Sequence, residues 1–472
     1  MNTSQALFDQ TGVRSGTRYE RSPETSRIVN SLISLILILS VVDAIHSLAV
    51  HRFVYLRIEC VFLAVLVASY WLRPNLRANF VLVLIGSILA LMMVEIVLTV
   101  TRPIMSARHV WKAGRVFDFR TREEVIQDMR KSGVHAYQRV AAGFPIAGGI
   151  TVGNSISNAT IIYGNETGQF MVFQSDEYGF NNPRGTWLER PTKIAAIGDS
   201  FATGCCVGVG NSFVDLIRDS QPATVNLGSG GNGPLVEFAA VREYASSLKP
   251  SIVLWFFFEG NDLDDLRHES AKPTLMRYLR ERDFTQNLMS RQAEIDADMK
   301  GPLENANNFR QSTLLIPSIG LRYYGMESLA RVIALHETHN LLAAQLGLGD
   351  AKNGWQSEQA EIPLFREVMG DARDEIAQWG GQLYFVYLPG TDLFTNAPGR
   401  QRLRSEVLQT VNELQLPVID VYPAFRQKPD PLSLFSLPFP HYNVAGYRLT
   451  AEVVLHALHQ SSSAYRATQA IR

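Results

Sequence analysis

The sequence is poor in charged residues and in cysteine, and it has no excess of either sign of charge. Charged residues make up 19% of the 472 residues, below the roughly 25% of an average soluble domain. The 44 basic and 45 acidic residues leave a net charge of −1, which excludes a generally basic nucleic-acid binder and a strongly acidic solvating protein. Three cysteines exclude a disulfide-rich scaffold.

Motifs for bound ions and nucleotides are lacking too. No spacing of cysteine and histidine resembles a zinc site, and no glycine-rich loop carries the lysine of a P-loop. We therefore expect no metal, no cofactor and no nucleic-acid partner. The adjacent Cys205 and Cys206 are interpreted as two small buried residues, and a redox or acyl-accepting thiol is the alternative.

Charged residues are rarest in three apolar runs near the N-terminus. Residues 28–50, 53–72 and 79–101 are each long enough to cross a bilayer as a helix. Three successive runs of this length do not fit a cleavable signal peptide. A buried helical hairpin of a soluble protein is the alternative, which the lack of a polar face disfavours. The sequence thus predicts a cytoplasmic tail, 1–27, followed by a multi-pass region in the cytoplasmic membrane.

The placement of arginine predicts the orientation of these spans. Basic residues precede the first run and separate the second from the third, whereas the loop between the first two runs has a single arginine; the residues are Arg14, Arg18, Arg21, Arg27, Arg73, Arg77 and Arg52. Because cytoplasmic loops carry an excess of basic residues, the N-terminus is expected inside. With three spans, everything after about residue 101 is then periplasmic, whereas the topology inverts if the second span fails. The helices could also contact a membrane partner.

A mixed α/β connecting segment is predicted for residues 102–190. It contains a helical pattern at 121–131 and a stretch rich in β-branched and turn residues at 147–173, which is typical of short strands. Two N-x-[ST] triplets begin at Asn158 and Asn165. They would act as glycosylation acceptors only in a eukaryotic secretory setting.

From residue 191 to about 460, short apolar runs alternate with helical stretches. The runs are 193–197, 223–227, 251–258, 382–388 and 417–421. Fully apolar strands that alternate with helices predict an α/β fold with a parallel sheet covered on both faces, in three layers. Residues 263–360 are interpreted as an insertion and 461–472 as a C-terminal tail.

Polar residues follow the first three of these strands, where ligands of parallel sheets bind. Ser200 lies in a Gly-Asp-Ser turn after the first strand, Gly231 in a glycine-rich loop after the second, and Asn261 in a Gly-Asn-Asp turn after the third. His441 lies near the C-terminus, shortly before an amphipathic stretch. Each of these alone is typical of an ordinary turn.

Taken together, the four blocks AIGDSFATG, VNLGSGGNGP, FFEGNDLDD and HYNVAGY resemble those of the SGNH, or GDSL-type, hydrolase superfamily. The resemblance spans roughly residues 190–460, and SDEYGFNNP at 175–183 is similar to a stretch upstream in large membrane-tethered members. It implies a flavodoxin-like sheet and acyl transfer. Ser200 would be the nucleophile and His441 the base, with Gly231 and Asn261 as oxyanion donors.

One residue of the family pattern is missing. The family usually has an aspartate two or three residues before the histidine, where this chain has Phe439 and Pro438. A backbone carbonyl could orient His441, another acid such as Asp430 could replace the aspartate, or the site could be non-catalytic. Since Pro440 keeps Phe439 extended, we predict that a carbonyl near 438–439 accepts from His441 Nδ1. Further candidates for support of the site are Asp199, Asp262 and Asn443.

The sequence therefore favours a membrane-anchored serine esterase acting outside the cytoplasmic membrane. Its substrate would be an ester-bearing lipid, glycan or small molecule. An O-acyltransferase that acts on envelope glycan or lipid is the first alternative, because a sugar hydroxyl can replace water in resolving an acyl-enzyme. The second alternative is a binding or assembly protein that reuses the fold.

Overall fold

The computed structural model describes most of the chain. The described residues are 23–49, 53–112, 114, 116–140, 144–145, 149–188, 191–309, 314–316, 321–323, 338, 354–395, 397–437 and 439–470. They belong to two compact units, of which the first contains Met1–Val97 and Val332–Leu341, and the second contains Leu98–Arg331 and Leu342–Arg472.

The first unit is helical. It contains α1 (Pro23–Ala49), α2 (Phe53–Ala68) with a 3₁₀ turn at Ser69–Trp71, and the start of α3 (Pro74–Lys112). A small buried cluster of Val29, Ile33, Ala78 and Val81 joins α1 to α3. Many large apolar side chains of these helices remain exposed, among them Ile28, Leu35, Ile38, Val61, Leu82, Val83 and Met93.

One helical segment among the described residues is long and apolar enough to cross a membrane. It is Pro74–Leu98, whose mean hydropathy is 2.8 and of which 11% is buried. The apolar parts Ser26–Val42 and Cys60–Trp71 are shorter. The prediction of three spans is therefore wrong for the described residues. The 16 residues of α2 reach only about 24 Å at 1.5 Å per residue, less than the roughly 30 Å of a bilayer core.

The second unit contains twelve strands and thirteen further α-helices among the described residues. The strands are β1 (Ala136–Gln138), β2 (Phe144–Pro145), β3 (Thr151–Val152), β4 (Thr160–Ile162), β5 (Val172–Gln174), β6 (Ile194–Gly198), β7 (Thr224–Asn226), β8 (Ile252–Phe258), β9 (Leu314–Ile316), β10 (Leu321–Tyr323), β11 (Gln382–Leu388) and β12 (Val418–Asp420). The helices are α4 (Arg122–Lys131), α5 (Ser200–Thr203), α6 (Phe213–Ser220), α7 (Pro234–Ala240), α8 (Ser246–Leu248), α9 (Asp262–Ser270), α10 (Pro273–Arg280), α11 (Gln292–Phe309), α12 (Gly354–Ala360), α13 (Ile362–Gln378), α14 (Arg400–Glu413), α15 (Tyr422–Arg426) and α16 (Val444–Ala470).

The central sheet has five parallel strands in the order β12-β11-β8-β6-β7. This confirms the predicted parallel sheet, and each strand lies within its predicted run or extends it by one residue. When these five strands are numbered 1 to 5 along the chain (β6, β7, β8, β11, β12), their order across the sheet is 2-1-3-4-5, which is the flavodoxin-like order. The direction of winding reverses between β6 and β8, and this crevice is where such sheets bind ligands.

The central strand β8 is packed on both faces of the sheet, and all of its residues are apolar. Alternate side chains of a strand point to opposite faces. Val253, Trp255 and Phe257 therefore join one core, to which α7 and α13 contribute, whereas Leu254, Phe256 and Phe258 join the other, to which α6 and α16 contribute. This is the pattern of a parallel sheet between two helical layers.

The connecting segment forms a smaller sheet, β1-β4-β5, in which β4 and β5 are an antiparallel hairpin. Helix α4 begins at the predicted place because Thr121 and Glu124 form a capping box. Within the insertion, the sequence pattern of residues 326–345 favours a helix, but this stretch lies outside the described residues except at Thr338. Residues 461–470, predicted as a tail, are the last turns of α16.

Glu237 on α7 generates a prediction about stability. It is fully buried, and burial, followed by the carboxyls of Asp199 and Glu269, raises its pKa well above the ordinary value of 4.5. The folded chain therefore holds a proton that the unfolded chain loses above pH 4.5, so this group makes folding less favourable as pH rises. We expect Glu237→Gln to raise Tm at pH 8 and to change it little at pH 4.

Thermal unfolding of the full chain at several pH values measures this effect. The matched control is Glu304→Gln, at an exposed glutamate of α11, which should leave the pH dependence as it is. A Tm difference between Glu237→Gln and the unaltered chain that is the same at pH 4 and pH 8 would contradict the prediction.

Candidate active site

Ser200 is placed by a sharp turn at the end of β6. Gly198 ends the strand with φ +155°, and a Cβ there would lie 2.9 Å from the carbonyl oxygen of Phe256 and 3.0 Å from Cβ of Ala202. Only glycine lets the chain turn so close to β8. Ser200 is the next residue but one and begins the single-turn helix α5.

Asp199, between the two, connects this turn to the end of β8. Its Oδ1 accepts the N–H of Phe201 at 2.8 Å, and its Oδ2 lies 3.2 Å from Ser200 Oγ and 3.4 Å from Asn261 Nδ2. Asp199 is completely buried, and this burial raises its pKa above 3.8. It therefore positions two candidate site residues at once.

The structure brings Ser200 and His441 together. Ser200 Oγ lies 2.8 Å from His441 Nε2, although the residues are 241 positions apart. The His441 loop is fixed by its neighbours, since Ser436 N–H donates to the His441 carbonyl at 2.8 Å and the buried Tyr442 donates its hydroxyl to Pro389 at 2.8 Å. The imidazole also packs on the ring of Phe201, with centroids 4.9 Å apart.

On its other side, the imidazole faces a carboxylate. His441 Nδ1 lies 2.9 Å from both Oε1 and Oε2 of Glu166. The prediction that a carbonyl near 438–439 takes this position is therefore wrong; residue 438 itself lies outside the described residues. Glu166 offers a charged acceptor where the aspartate of the family pattern is missing. Ser200, His441 and Glu166 thus form a continuous hydrogen-bonded chain.

Sequence spacing gave no indication of Glu166, because it lies 275 positions before His441. It is in the hairpin loop between β4 and β5, within the triplet that begins at Asn165. The loop is ordered by Asn165, whose Oδ1 accepts the N–H of Gly168 at 2.9 Å, and by Thr167, whose hydroxyl donates to the carbonyl of Cys206 at 2.9 Å. The second of the two N-x-[ST] triplets thus lies in the loop that brings Glu166 to His441.

Gly231 and Asn261, the predicted oxyanion donors, line the same cavity as Ser200. Gly231 has φ +80°. Its loop is held by Asn226, whose Nδ2 donates to the carbonyl of Ala202 at 2.8 Å and whose Oδ1 accepts the N–H of Gly228 at 2.8 Å. These contacts keep the glycine-rich loop close to α5.

The side chain of Asn261 is oriented by Asp265, one helical turn further along α9. Asn261 Nδ2 donates to Asp265 Oδ2 at 2.8 Å. Burial, followed by the charge of Asp199, raises the pKa of Asp265 to about 7. The acceptor that fixes this amide therefore changes its protonation near neutral pH.

The other candidates for support have structural roles. Asp262 Oδ2 accepts the N–H of Phe258 at 2.9 Å, and Asp430 Oδ1 accepts the N–H of Leu432 at 3.1 Å. Asn443 donates to the carbonyl of Ser433 at 2.7 Å and accepts the N–H of Ala445 at 3.0 Å. Asp430 is therefore a cap of a short 3₁₀ helix, and Glu166 occupies the position beside His441 for which Asp430 was a candidate.

The cavity above Ser200 has a volume of about 450 Å³. The central sheet and its loops provide part of its lining, and the connecting segment provides Arg122, Arg139, Tyr163 and Glu166. Arg139 is fixed beside the glycine-rich loop, since it donates to the carbonyl of Gly230 at 3.2 Å and lies over the ring of Tyr163. The segment predicted as a connection thus forms one wall of the site.

Comparison with models of known families gives no match, and no curated protein matches the chain. Among solved structures, a putative lipolytic protein of the G-D-S-L family from Desulfitobacterium hafniense is 14% identical, covers 56% of this chain and 99% of its own, and gives a TM-score of 0.31. A lipase/acylhydrolase from Enterococcus faecalis is 15% identical, with coverage of 56% and 93% and a TM-score of 0.30. The acetyl xylan esterase AlAXEase is 11% identical, with coverage of 56% and 98% and a TM-score of 0.31. Likenesses this distant establish neither the activity nor the substrate of this chain.

The position of Glu166 predicts how fast Ser200 reacts with a fluorophosphonate. Glu166→Gln should slow the labelling of Ser200 by a large factor, up to the about 10⁴-fold in turnover that loss of the orienting aspartate costs in a serine protease. Because Gln keeps the size of Glu, the fold should be kept. Asp430→Asn is the matched control and should label at the unaltered rate. Equal slowing in both variants would contradict the assignment of Glu166.

Proposed function

We propose that this protein is a serine acyl hydrolase that cleaves esters through Ser200, His441 and Glu166. The observation that carries the proposal is the hydrogen-bonded chain from Ser200 Oγ through the imidazole to the Glu166 carboxylate, with distances of 2.8 and 2.9 Å. Nucleophile, base and orienting acid in this order are the arrangement that activates a serine hydroxyl.

In the first half-reaction, Ser200 Oγ attacks the ester carbonyl carbon while His441 Nε2 accepts its proton. Glu166 keeps the other proton on Nδ1 and stabilises the imidazolium that forms. Nε2 then returns its proton to the leaving alcohol as the tetrahedral intermediate collapses. An acyl-enzyme on Ser200 remains.

The oxyanion of that intermediate would receive hydrogen bonds from the backbone N–H groups of Ser200 and Gly231 and from Asn261 Nδ2. One such donor is worth about 10²–10³ in rate. The hydrogen bond from Asn261 to Asp265 fixes the amide before substrate arrives, which is the condition under which such donors accelerate the chemistry. Water activated by His441 then hydrolyses the acyl-enzyme.

We further propose that a single span, Pro74–Leu98, attaches the protein to the cytoplasmic membrane, with the catalytic unit on the periplasmic side. Support comes from Pro74–Leu98, which is long and apolar enough to span a bilayer, and from the exposed apolar side chains of α1 and α2. The arginines at the N-terminus and at Arg73 and Arg77 favour a cytoplasmic N-terminus. An ester-bearing lipid or envelope glycan is the substrate class that suits this location.

The first test of this function is turnover of short p-nitrophenyl esters by the full chain in detergent. Ser200→Ala should abolish turnover. Asn261→Ala should lower kcat by about 10²–10³ with a smaller effect on KM, since the amide acts mainly in the transition state. Asn412→Ala, at a surface amide of α14, is the matched control and should leave both constants unchanged.

Turnover by Ser200→Ala at the rate of the unaltered chain would rule out the acyl-enzyme. If Asn261→Ala raised KM and left kcat unchanged, Asn261 would instead be assigned to substrate binding. Addition of a sugar alcohol during turnover separates hydrolysis from transfer, because a transferase would release the acylated alcohol in place of the free acid.

The second test concerns orientation in the membrane. An alkaline phosphatase reporter, active only in the periplasm, should be active when fused after residue 116 and inactive when fused after Leu72. A reporter that is active only in the cytoplasm should give the reverse pattern at the same two positions. Activity of the phosphatase after Leu72 combined with silence after residue 116 would show that the orientation is inverted.

A further inference from the structure

The proposed mechanism leaves two cysteines beside the site without a role. Cys205 and Cys206 follow α5, are almost completely buried and are joined by a disulfide. Cys205 lines the catalytic cavity. Their backbone is tied to the site, because the Cys206 carbonyl accepts from Thr167, next to Glu166, and the Cys205 carbonyl accepts the hydroxyl of Tyr447. The sulfur atoms therefore belong to the surroundings of the acid and the base.

The two sulfurs lie close to both of those groups. One ligand atom from each of Glu166, Cys205, Cys206 and His441 lies within 4.8 Å of the others. The ligand atoms of a tetrahedral zinc ion are about 3.3–3.8 Å apart, given bonds of about 2.0–2.3 Å. Two sulfurs, one imidazole nitrogen and one carboxylate oxygen are a donor set that zinc accepts. A tetrahedral site therefore requires that the two sulfurs separate after reduction and that the other ligand atoms move to these distances.

We propose that, when the disulfide is reduced, these four residues bind Zn²⁺ and that the bound ion switches the esterase off. The inactivation rests on the proposed function, whereas the binding of zinc does not. Sequence spacing could not reveal the site because its ligands come from three separate parts of the chain. In the oxidised form the sulfurs share a covalent bond and carry no negative charge, so they are poor ligands.

The chemistry balances with a dithiol as reductant. Reduction breaks the bond between the two Sγ atoms, which take two electrons and two protons, while the dithiol becomes a disulfide. When Zn²⁺ binds, both thiols release their protons to solvent and coordinate as thiolates. The carboxylate of Glu166 and one nitrogen of His441 supply the remaining two bonds. Oxidation by a disulfide reverses the sequence and releases the ion.

Inactivation follows whichever imidazole nitrogen binds the metal. If Nε2 coordinates, its lone pair is occupied and cannot accept the proton of Ser200. If Nδ1 coordinates, the imidazole proton must move to Nε2, which again cannot act as a base. In either case Glu166 is also withdrawn from its role in orienting His441. The ion and the catalytic proton transfer are therefore mutually exclusive.

Cobalt titration of the full chain tests the site directly. Co²⁺ occupies tetrahedral zinc sites and gives a thiolate-to-metal charge-transfer absorption, a readout that does not depend on turnover. The chain is reduced with a dithiol, the dithiol is removed without air, and Co²⁺ is added. We expect one equivalent to bind with this absorption, and Zn²⁺ to displace it. The oxidised chain should show no charge-transfer band.

Two variants sharpen the test. Cys206→Ser should lose the site, with affinity falling by more than the roughly 10–100-fold that removal of an outer partner costs. Cys60→Ser, at the remaining cysteine, which is exposed and free, is the matched control and should keep the band. The comparison of reduced with oxidised unaltered chain needs no substitution, so it holds even if Cys206→Ser folds poorly.

Ester turnover under the same conditions links the site to activity. In the reduced chain, one equivalent of Zn²⁺ should remove turnover and a chelator should restore it. Absence of the cobalt band in the reduced chain, or zinc inhibition of equal strength in the oxidised chain, would overturn the proposal. A cobalt band in a chain that has no esterase activity would support the metal site while the proposed function fails.

Discussion

In the proposed mechanism His441 acts as a base only if its ring is held from both sides, and its two hydrogen-bond partners come from different layers of the protein. Ser200 stands at the end of a buried parallel strand, whereas Glu166 stands on a hairpin of the small sheet. The hydrogen bond at Nδ1 therefore requires that the segment before residue 190 is docked on the core. The same docking places Arg139 and Tyr163 in the cavity wall, so the site and the contact between the two sheets form together.

The central sheet could be predicted because its signal is local. Runs such as Ile252–Phe258 are apolar at every position, and a strand with both faces buried is the simplest explanation for them. Ser200, the glycine-rich loop and Asn261 could be located for the same reason, since each directly follows a strand. The folded chain collects these strand ends at one edge of the sheet.

Glu166 could not be found in this way. Pro440 constrains only the backbone next to His441, and it gives no information about a side chain that arrives from a loop 275 positions earlier. The N-terminal helices show a related failure, because hydropathy does not show where a helix ends. Run 53–72 looked continuous, but its α-helix stops at Ala68 and a 3₁₀ turn follows.

The remote origin of Glu166 also affects how such sites can be recognised and how they can change. A motif scan around His441 would classify the chain as lacking its acid, although the carboxylate is present in space. Glu166 and His441 are brought together by the fold and not by their spacing in the sequence. In related chains, substitutions at these two distant positions should therefore be correlated, and no conserved local pattern should mark the pair. An insertion or deletion in the hairpin could then break the hydrogen bond between Glu166 and His441 while every recognisable sequence block stays intact.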